Sequence, residues 1–390
     1  MDYQVENGNL TVSLSGRIDS SNADAAEKDI FAIREEHPAE ELILDADDLE
    51  YISSAGLRVI LRLRKKNPSL KIINASADIY EILDMTGFTE MITVEKAFRR
   101  LSVDGCKEIG RGAKGIVYRL DDDTIIKVYK NPDSLPDIKK ERQLARKAFV
   151  LGIPTAIPYD VVRVGESYGS VFELLDAKSF SQLIAASPEK TDEYVGLYAD
   201  LLRQIHDTAV SPDDMPDIKK LVYRWIEADE PFLPAEEYAK LKALVDDVPD
   251  TDNMLHCDYH TNNLMMQNGE TLLIDMDTLS HGHPIFELAN VYITYVGFGE
   301  EYPEVVEEFI GLPYATAKEI WKKFLPLYLQ TEEADKIASV EDKVKLLSYT
   351  RVMRHTVRRG GNDTEAGRKT IAYCAEKISA LLDNVNTLEF

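Results

Sequence analysis

The chain has 390 residues, of which 69 are acidic and 45 are basic, so its formal net charge at neutral pH is −24. Such an acidic protein is a poor partner for nucleic acid, because binding to a phosphate backbone depends on clustered Lys and Arg. With 44% hydrophobic and 29% charged residues, the chain can fill a hydrophobic core, which excludes a disordered or fibrous protein.

The first hundred residues alternate between strand-like and helix-like patterns. The predicted elements are, in chain order, strand 10–14, a helix from the N-cap Asn22 to about Glu36, strand 42–44, helix 55–66, strand 70–74 and a short helix around Ile79. This alternation is typical of an α/β domain. A weakly patterned link over 101–105 places the predicted domain boundary between residues 104 and 105.

The remainder, 105–390, starts with a glycine-dense segment among β-branched residues and continues into long helical stretches, which predicts an α+β domain. The chain has neither a signal-peptide pattern nor an apolar run of eighteen residues, so we expect a cytoplasmic protein that does not enter a membrane. Its three cysteines are widely spaced and lack a CxxC pair, which indicates reduced thiols.

A GxGxxGxV motif, formed by Gly110, Gly112, Gly115 and Val117, lies between two strand-like stretches. Glycines let a backbone bend tightly and approach phosphate oxygens without a Cβ in the way. A dinucleotide-binding turn requires a helix directly after the glycines, whereas the sequence here predicts a strand and a hairpin turn. The motif therefore favours a phosphate-covering loop between two strands.

Residues 256–263 fit the pattern HxDxxxxN, and Asp275 follows Asn263 after twelve residues. In phosphoryl transfer, an Asp orients the attacking hydroxyl, while an Asn and a second Asp hold Mg²⁺ against the nucleotide phosphates. Lys127, on the strand after the glycine motif, occupies the usual place of a phosphate-binding lysine, with Glu141 as its predicted partner. The order and spacing of these signals agree.

On these motifs, residues 105–390 resemble the aminoglycoside phosphotransferase and choline kinase superfamily, the small-molecule relatives of protein kinases. The resemblance implies a bilobal, protein-kinase-like fold with a nucleotide lobe at 105–175 and a helical acceptor lobe at 176–390. It also implies ATP and Mg²⁺ as cofactors and a small-molecule hydroxyl as acceptor. The implied roles are a catalytic base (Asp258), magnesium ligands (Asn263, Asp275), a phosphate contact (Lys127) with its partner (Glu141), and an adenine-binding hinge over 171–175 that includes Glu173 and Leu175.

Residues 45–63, DADDLEYISSAGLRVILRL, resemble the strand, loop and helix signature of STAS domains, the fold of anti-sigma-factor antagonists. The resemblance covers 1–104 and implies a protein partner. The loop position that antagonists phosphorylate corresponds to Ser54. A second interpretation is that Ser53 and Ser54 only cap the helix that follows them, which we favour over phosphorylation.

The two modules leave alternative functions open. The first is a phosphotransferase acting on a small, cationic acceptor, attracted by acidic residues such as Asp229 and Glu230 near Trp225. The second is a partner-switching regulator whose kinase-like domain senses nucleotide or phosphorylates a protein; a pseudokinase ranks last, because every required polar residue is present. Four arginines at helical spacing could contact an acidic partner or pair internally with carboxylates, and we favour internal pairing; they are Arg351, Arg354, Arg358 and Arg359. Asp277 could be a second metal contact or a solvated carboxylate, and we favour the solvated carboxylate.

Overall fold

A computed structural model describes residues 1–6, 8–112 and 114–390. The contacts divide the chain into two units, Met1–Ser102 and Val103–Phe390. One buried hydrophobic cluster lies wholly in the first unit, between Leu10 and Ile92, and another lies wholly in the second. Each unit therefore has its own core.

The first unit is a five-stranded sheet with helices between its strands. The strands lie in the order β1-β2-β3-β4-β5; β1 and β2 are antiparallel and the other pairs are parallel. The elements are β1 (Tyr3–Glu6), β2 (Asn9–Ile18), α1 (Ala23–Glu36), β3 (Glu41–Ile52), α2 (Ser54–Lys66), β4 (Lys71–Ala75), α3 (Ala77–Met85), α4 (Phe88–Met91) and β5 (Thr93–Lys96).

The start of α2 lies very close to the ends of β2 and β3. A Cβ added at Gly56 would lie 2.7 Å from Cγ1 of Ile52 and 2.9 Å from Cγ2 of Ile18, so only glycine fits without a shift. The hydroxyl of Ser53 accepts a hydrogen bond from the backbone N–H of Ala55 at 3.2 Å, as expected of an N-cap. Ser54, the first residue of α2, is exposed.

The second unit begins with a five-stranded antiparallel sheet in the order β6-β7-β8-β10-β9. Its elements are β6 (Lys107–Arg111), β7 (Gly115–Arg119), β8 (Thr124–Tyr129), α5 (Leu135–Val150), β9 (Pro158–Val164) and β10 (Ser167–Glu173). Ala113, within the glycine motif, lies outside the described residues. Residue 115 has to be glycine, because a Cβ there would lie 2.5 Å from the backbone oxygen of Val128 on the neighbouring strand.

Helices and short strands make up the rest of the second unit. They are β11 (Lys178–Ser179), α6 (Phe180–Ala186), α7 (Thr191–His206), α8 (Ile218–Asp229), α9 (Ala235–Asp246), β12 (Met254–Leu255), β13 (Leu264–Gln267), β14 (Glu270–Leu273), β15 (Ser280–His281), α10 (Ile285–Tyr295), α11 (Pro303–Ile310), α12 (Tyr314–Leu329), α13 (Ala334–Arg358) and α14 (Glu365–Leu382). None of the helices, over the described residues, is long and apolar enough to cross a membrane.

Candidate active site

The polar motif at 256–263 forms a loop between β12 and β13. Strand β12 pairs with β15, and the hairpin of β13 and β14 then returns the chain to the loop. The backbone N–H of Ile274 donates to the oxygen of Asn263 at 2.9 Å, so Asp275 follows directly after this contact. This contact holds the segment that carries Asp275 beside Asn263, although the two residues are twelve positions apart in the sequence.

The carboxylate of Glu287 on α10 holds the start of this loop. It accepts hydrogen bonds from the backbone N–H groups of His256, at 2.8 Å, and Cys257, at 2.6 Å. Nε2 of His206, on α7, is hydrogen-bonded to Oε2 of Glu287 at 2.9 Å. Glu287 itself has no exposed surface. Cys257 has a left-handed backbone conformation, with φ at +66°, which these bonds help to maintain.

Two tyrosines attach the loop to α7. The hydroxyl of Tyr198 donates to the backbone oxygen of Tyr259 at 2.8 Å, and the hydroxyl of Tyr259 donates to the backbone oxygen of Tyr198 at 2.7 Å. Both side chains are buried. The backbone on either side of Asp258 is therefore held by buried hydrogen bonds, as a preorganised catalytic loop requires.

Asp258 lies at the centre of the loop. Nδ2 of Asn263 donates to its backbone oxygen at 2.9 Å, and Nε2 of His260 lies 3.6 Å from its Oδ2. Burial alone would raise the pKa of Asp258, but hydrogen bonding to His260 and the charges of His260, His256 and Arg351 lower it to about 2. The carboxyl group is thus ionised at any physiological pH.

His256 lies beneath the loop. Its Nδ1 accepts from the backbone N–H of Asp258 at 3.3 Å, and its backbone oxygen accepts from the hydroxyl of Thr278 at 2.7 Å. Among the described residues no group of three or more His, Cys, Asp or Glu side chains is arranged to hold a metal. Through these contacts His256 braces the loop from below.

Lys127 of β8 lies between two carboxylates. Its Nζ is 3.0 Å from Oε1 of Glu141 on α5 and 3.2 Å from Oδ1 of Asp275. Burial by itself would lower the pKa of Lys127, but the charges of Glu141 and Asp275 outweigh this and raise it. Tyr129 donates to the second oxygen of Glu141 at 2.7 Å. Both carboxylate oxygens of Glu141 therefore have a partner, and Lys127 is held in place as a cation.

A cavity of about 560 Å³ and another of about 660 Å³ meet at Asp258. The larger one, which we name the nucleotide cavity after its predicted ligand, is lined by every predicted cofactor, metal and catalytic position: Gly110, Gly112, Gly115, Val117, Lys127, Glu141, Glu173, Leu175, Asp258, Asn263 and Asp275. The smaller one, which we name the acceptor cavity after the predicted acceptor, lies among α10, α11, α13 and α14. Arg351 and Cys257 line both cavities together with Asp258.

Asp277 also lines the nucleotide cavity, and its expected solvation is wrong. Its side chain is only 12% exposed and forms an ion pair with Lys114, the residue just before Gly115 in the glycine motif. The pair joins the glycine loop to the segment that carries Asp275. Sequence spacing contains no signal for this contact, which spans 163 positions.

Asp229, one of the acidic residues near Trp225, does not supply the expected attraction for a cation. Asp229 has no exposed surface, and neither of its carboxyl oxygens has a hydrogen-bond partner among the described residues. Burial raises the pKa of Asp229 to about 9, so the group is protonated at neutral pH. A signal was present in the sequence: Asp229 continues the buried helical stripe of Val222, Trp225 and Ile226.

The expectation that the four arginines of α13 pair with carboxylates is also wrong. Over the described residues, none of them forms an ion pair within 4.0 Å; they are Arg351, Arg354, Arg358 and Arg359. Arg351 instead donates to Oδ1 of Asn290 and lies over the ring of Trp225, 5.2 Å from its centroid. Sequence reasoning assigned no role in the site to Arg351 or to Glu287.

Comparisons with known proteins agree with the division of the chain into two units. Residues 105–318 match the model of the phosphotransferase enzyme family, and residues 1–101 match the model of the STAS domain. A candidate anti-sigma factor antagonist of Bordetella bronchiseptica, BtrV, is 32% identical over 91 residues, covering 22% of this chain and 78% of that protein. The anti-sigma F factor antagonist of Paenibacillus polymyxa is 24% identical over 102 residues, covering 24% of this chain and 87% of that protein.

Among solved structures, the amicoumacin kinase hAmiN, in complex with AMP-PNP, Ca²⁺ and Ami, is similar with a TM-score of 0.50 and 14% sequence identity. The match covers 80% of this chain and 95% of that one. At this identity the likeness concerns the fold. The predicted fold classes, an α/β STAS-like domain and an α+β kinase-like domain, are confirmed by these matches.

Proposed function

Because the chain belongs to the phosphotransferase enzyme family, we propose that it moves the γ-phosphoryl group of ATP to a hydroxyl of a small molecule. The observation that carries this proposal is the meeting of two cavities at one ionised carboxylate, Asp258. The nucleotide cavity contains the fixed cation Lys127 and the hinge residues Glu173 and Leu175. The acceptor cavity leaves room for a small molecule on the other side of Asp258.

In the proposed step, the acceptor oxygen attacks the γ-phosphorus, the bond from that phosphorus to the β,γ-bridging oxygen breaks, and ADP leaves. The hydroxyl proton passes to Asp258. A carboxylate with a pKa of about 2 is a weak base, so it orients the hydroxyl early and takes the proton late, which suits a loose transition state. The buried hydrogen bonds around the loop hold the carboxylate in place for this role.

Asn263 and Asp275 are the residues that fit a bound divalent cation. The Nδ2 of Asn263 is used toward Asp258, which leaves its Oδ1 as a donor atom beside a carboxylate. Amide and carboxylate oxygens suit Mg²⁺, which in phosphotransfer sites takes one or two protein ligands and completes its shell from phosphates and water. When bound, Mg²⁺ would neutralise charge on the β- and γ-phosphates.

The proposal is tested by following labelled γ-phosphate from ATP, with Mg²⁺, into water, the protein itself and a panel of hydroxyl-bearing small molecules. We expect label in at least one small molecule and dependence of that transfer on Mg²⁺. Label that appears only in protein or in water would refute small-molecule transfer.

Replacement of Lys127 by methionine should raise the KM for ATP and lower kcat, with kcat/KM falling about 10- to 100-fold. The reason is the loss of a charge-assisted contact to phosphate, which leaves Glu141 buried without its cation. Steady-state kinetics measure the change. Lys140→Met, at an exposed position next to Glu141, is the matched control and should keep the wild-type kcat and KM. Wild-type kcat and KM in Lys127→Met would show that Lys127 does not contact ATP.

A second function, partner switching through the STAS domain, is favoured by the exposure of Ser54 at the first position of α2. A phosphate there would lie at a helix N-terminus, where backbone N–H groups and the helix dipole favour negative charge. The matched relatives of this part are named as anti-sigma factor antagonists. In this alternative the STAS domain binds a protein, and its state controls phosphotransfer.

If this control operates, Ser54→Asp in the full chain should change the phosphotransfer rate by about fivefold or more, a typical size for coupling between sites. Ser20→Asp, at another exposed serine of the same unit, supplies the control for added charge. Equal rates in wild type, Ser54→Asp and Ser20→Asp would indicate that the phosphotransferase works independently of this position.

A further inference from the structure

The acceptor cavity is lined by two arginines that have no carboxylate partner within 4.0 Å over the described residues. Arg351 and Arg359 of the α13 segment both face it, together with His355. Arg354 and Arg358 lie on the same helix and outside the lining. Within the described parts of the chain, none of these arginines forms an ion pair within 4.0 Å, although acidic residues outnumber basic ones 69 to 45.

Over the described residues, the acids near the cavity form no ion pair within 4.0 Å with these arginines. Glu300 accepts hydrogen bonds from the hydroxyls of Tyr292, Tyr349 and Tyr373 at 2.9 to 3.1 Å. Asp229 is buried and protonated at neutral pH. Asp258 and Glu301 line the cavity. The charge of Arg351 helps to lower the pKa of Asp258, so these two groups attract each other, but in the described part of the chain neither acid forms an ion pair within 4.0 Å with Arg351 or Arg359.

The charges of these arginines also lower the pKa of neighbouring groups. Burial, and then the charges of the four arginines, lower the pKa of His355. Burial and the charges of Arg358 and Arg224 lower the pKa of Arg354. Cations placed in this way repel one another, so their proximity costs stability that a bound anion would recover.

The C-terminus of α13 accounts for part of the cluster, because a helix dipole favours cations in the last turn. It does not account for Arg351, which lies about two turns before the end of the helix and lines both cavities. Arg351 is oriented by Asn290, whose Nδ2 donates to the backbone oxygen of Cys257 at 3.3 Å. Arg351 is therefore connected through Asn290 to the loop that carries Asp258, and Arg359 lines another part of the same cavity.

We propose that the hydroxyl acceptor carries a second, anionic group, a carboxylate or a phosphate, which Arg351 and Arg359 bind. This rests on the proposed phosphotransfer and replaces the cationic acceptor expected from composition. Guanidinium groups suit both anions, because they offer paired N–H donors to two oxygens. The cavity lining also contains Phe298, Val305 and Phe309, so the proposed acceptor has a short apolar part beside its charge.

The binding test uses the full chain with Mg²⁺ and AMP-PNP, so that the nucleotide cavity is filled. Glycerol 3-phosphate, glycerate and the amine 3-amino-1,2-propanediol are titrated separately by calorimetry. We expect one or both anions to bind and the amine not to bind. Arg359→Gln should weaken anion binding at least about 10-fold, while Arg358→Gln, its neighbour outside the cavity lining, should change it less than twofold. Anion binding that is absent, or equal in the two variants, overturns the proposal.

A transfer assay with labelled ATP separates this proposal from the one on which it rests. Label on an anionic compound, with an acceptor KM raised at least about 10-fold in Arg359→Gln, supports both. Label on the amine alone refutes the anionic acceptor while phosphotransfer stands. Arg359-dependent anion binding without label on any hydroxyl compound refutes phosphotransfer while the anion site stands. Thermal unfolding of each variant checks that its fold is intact.

Discussion

Asp258→Asn is expected to lower the rate of phosphoryl transfer about 10²- to 10⁴-fold, the usual contribution of a positioned general base. The asparagine keeps the shape of the side chain, and its neighbour Asn263 can still donate to the backbone oxygen of residue 258. It cannot take the hydroxyl proton, and its amide group would present N–H donors where the acceptor hydroxyl donates. The change should therefore act on kcat and leave nucleotide affinity nearly unchanged.

The measurement is single-turnover transfer of labelled phosphate, with AMP-PNP binding measured in parallel. Asp252→Asn is a suitable control, because Asp252 is an exposed aspartate shortly before the same loop. Since the pKa of Asp258 is about 2, its ionisation produces no limb in the pH–rate profile between pH 5 and 8. A variant with wild-type kcat would exclude Asp258 as the base.

Glu287→Ala is expected to lower the free energy of unfolding of the second unit by about 3 to 5 kcal/mol, the cost of removing one partner from a buried charged network. Two backbone N–H groups and the imidazole of His206 would lose their common acceptor. The chain at Cys257 would then lose the bonds that help to hold its left-handed conformation. Phosphotransfer should fall sharply even where the protein stays folded.

Urea denaturation, followed by a signal from the second unit, measures the loss of stability, and kcat is measured below the start of unfolding. The matched control is Glu308→Ala, at an exposed glutamate of α11. Glu287→Gln separates charge from shape, and we expect it to be intermediate in stability. If Glu287→Ala lost stability while kcat stayed at the wild-type value, Glu287 would have no role in positioning the loop.

The parts of the fold that follow local patterns were predictable. Asn22 precedes α1 and Lys66 ends α2, as expected. The buried face of α2 includes Val59, Ile60 and Leu63, although a second set, Leu57, Ile60 and Leu61, has helical spacing as well. Both sets fit helical spacing, and the choice between them depends on how the helix rotates against the sheet. Strand β1 escaped prediction because all of its residues are exposed.

The same limit applies to the candidate site. Asp258 and Asn263 share one short loop, so their spacing alone indicated a common site. Arg351 and Glu287 reach that loop from helices 93 and 29 positions away from Asp258, and no local pattern marks such an approach. Asp229 differs, because its helical spacing with Val222, Trp225 and Ile226 did indicate burial, although its charge suggested attraction of cations.

The separate cores of the two units affect how substitutions must be interpreted. Because neither buried cluster contains residues of the other unit, a single melting temperature for the whole chain is not a well-defined quantity. Damage to the STAS core need not dismantle the phosphotransferase core. Loss of catalysis after a change in the first unit, with the second unit still folded, would therefore report communication between the modules and not collapse.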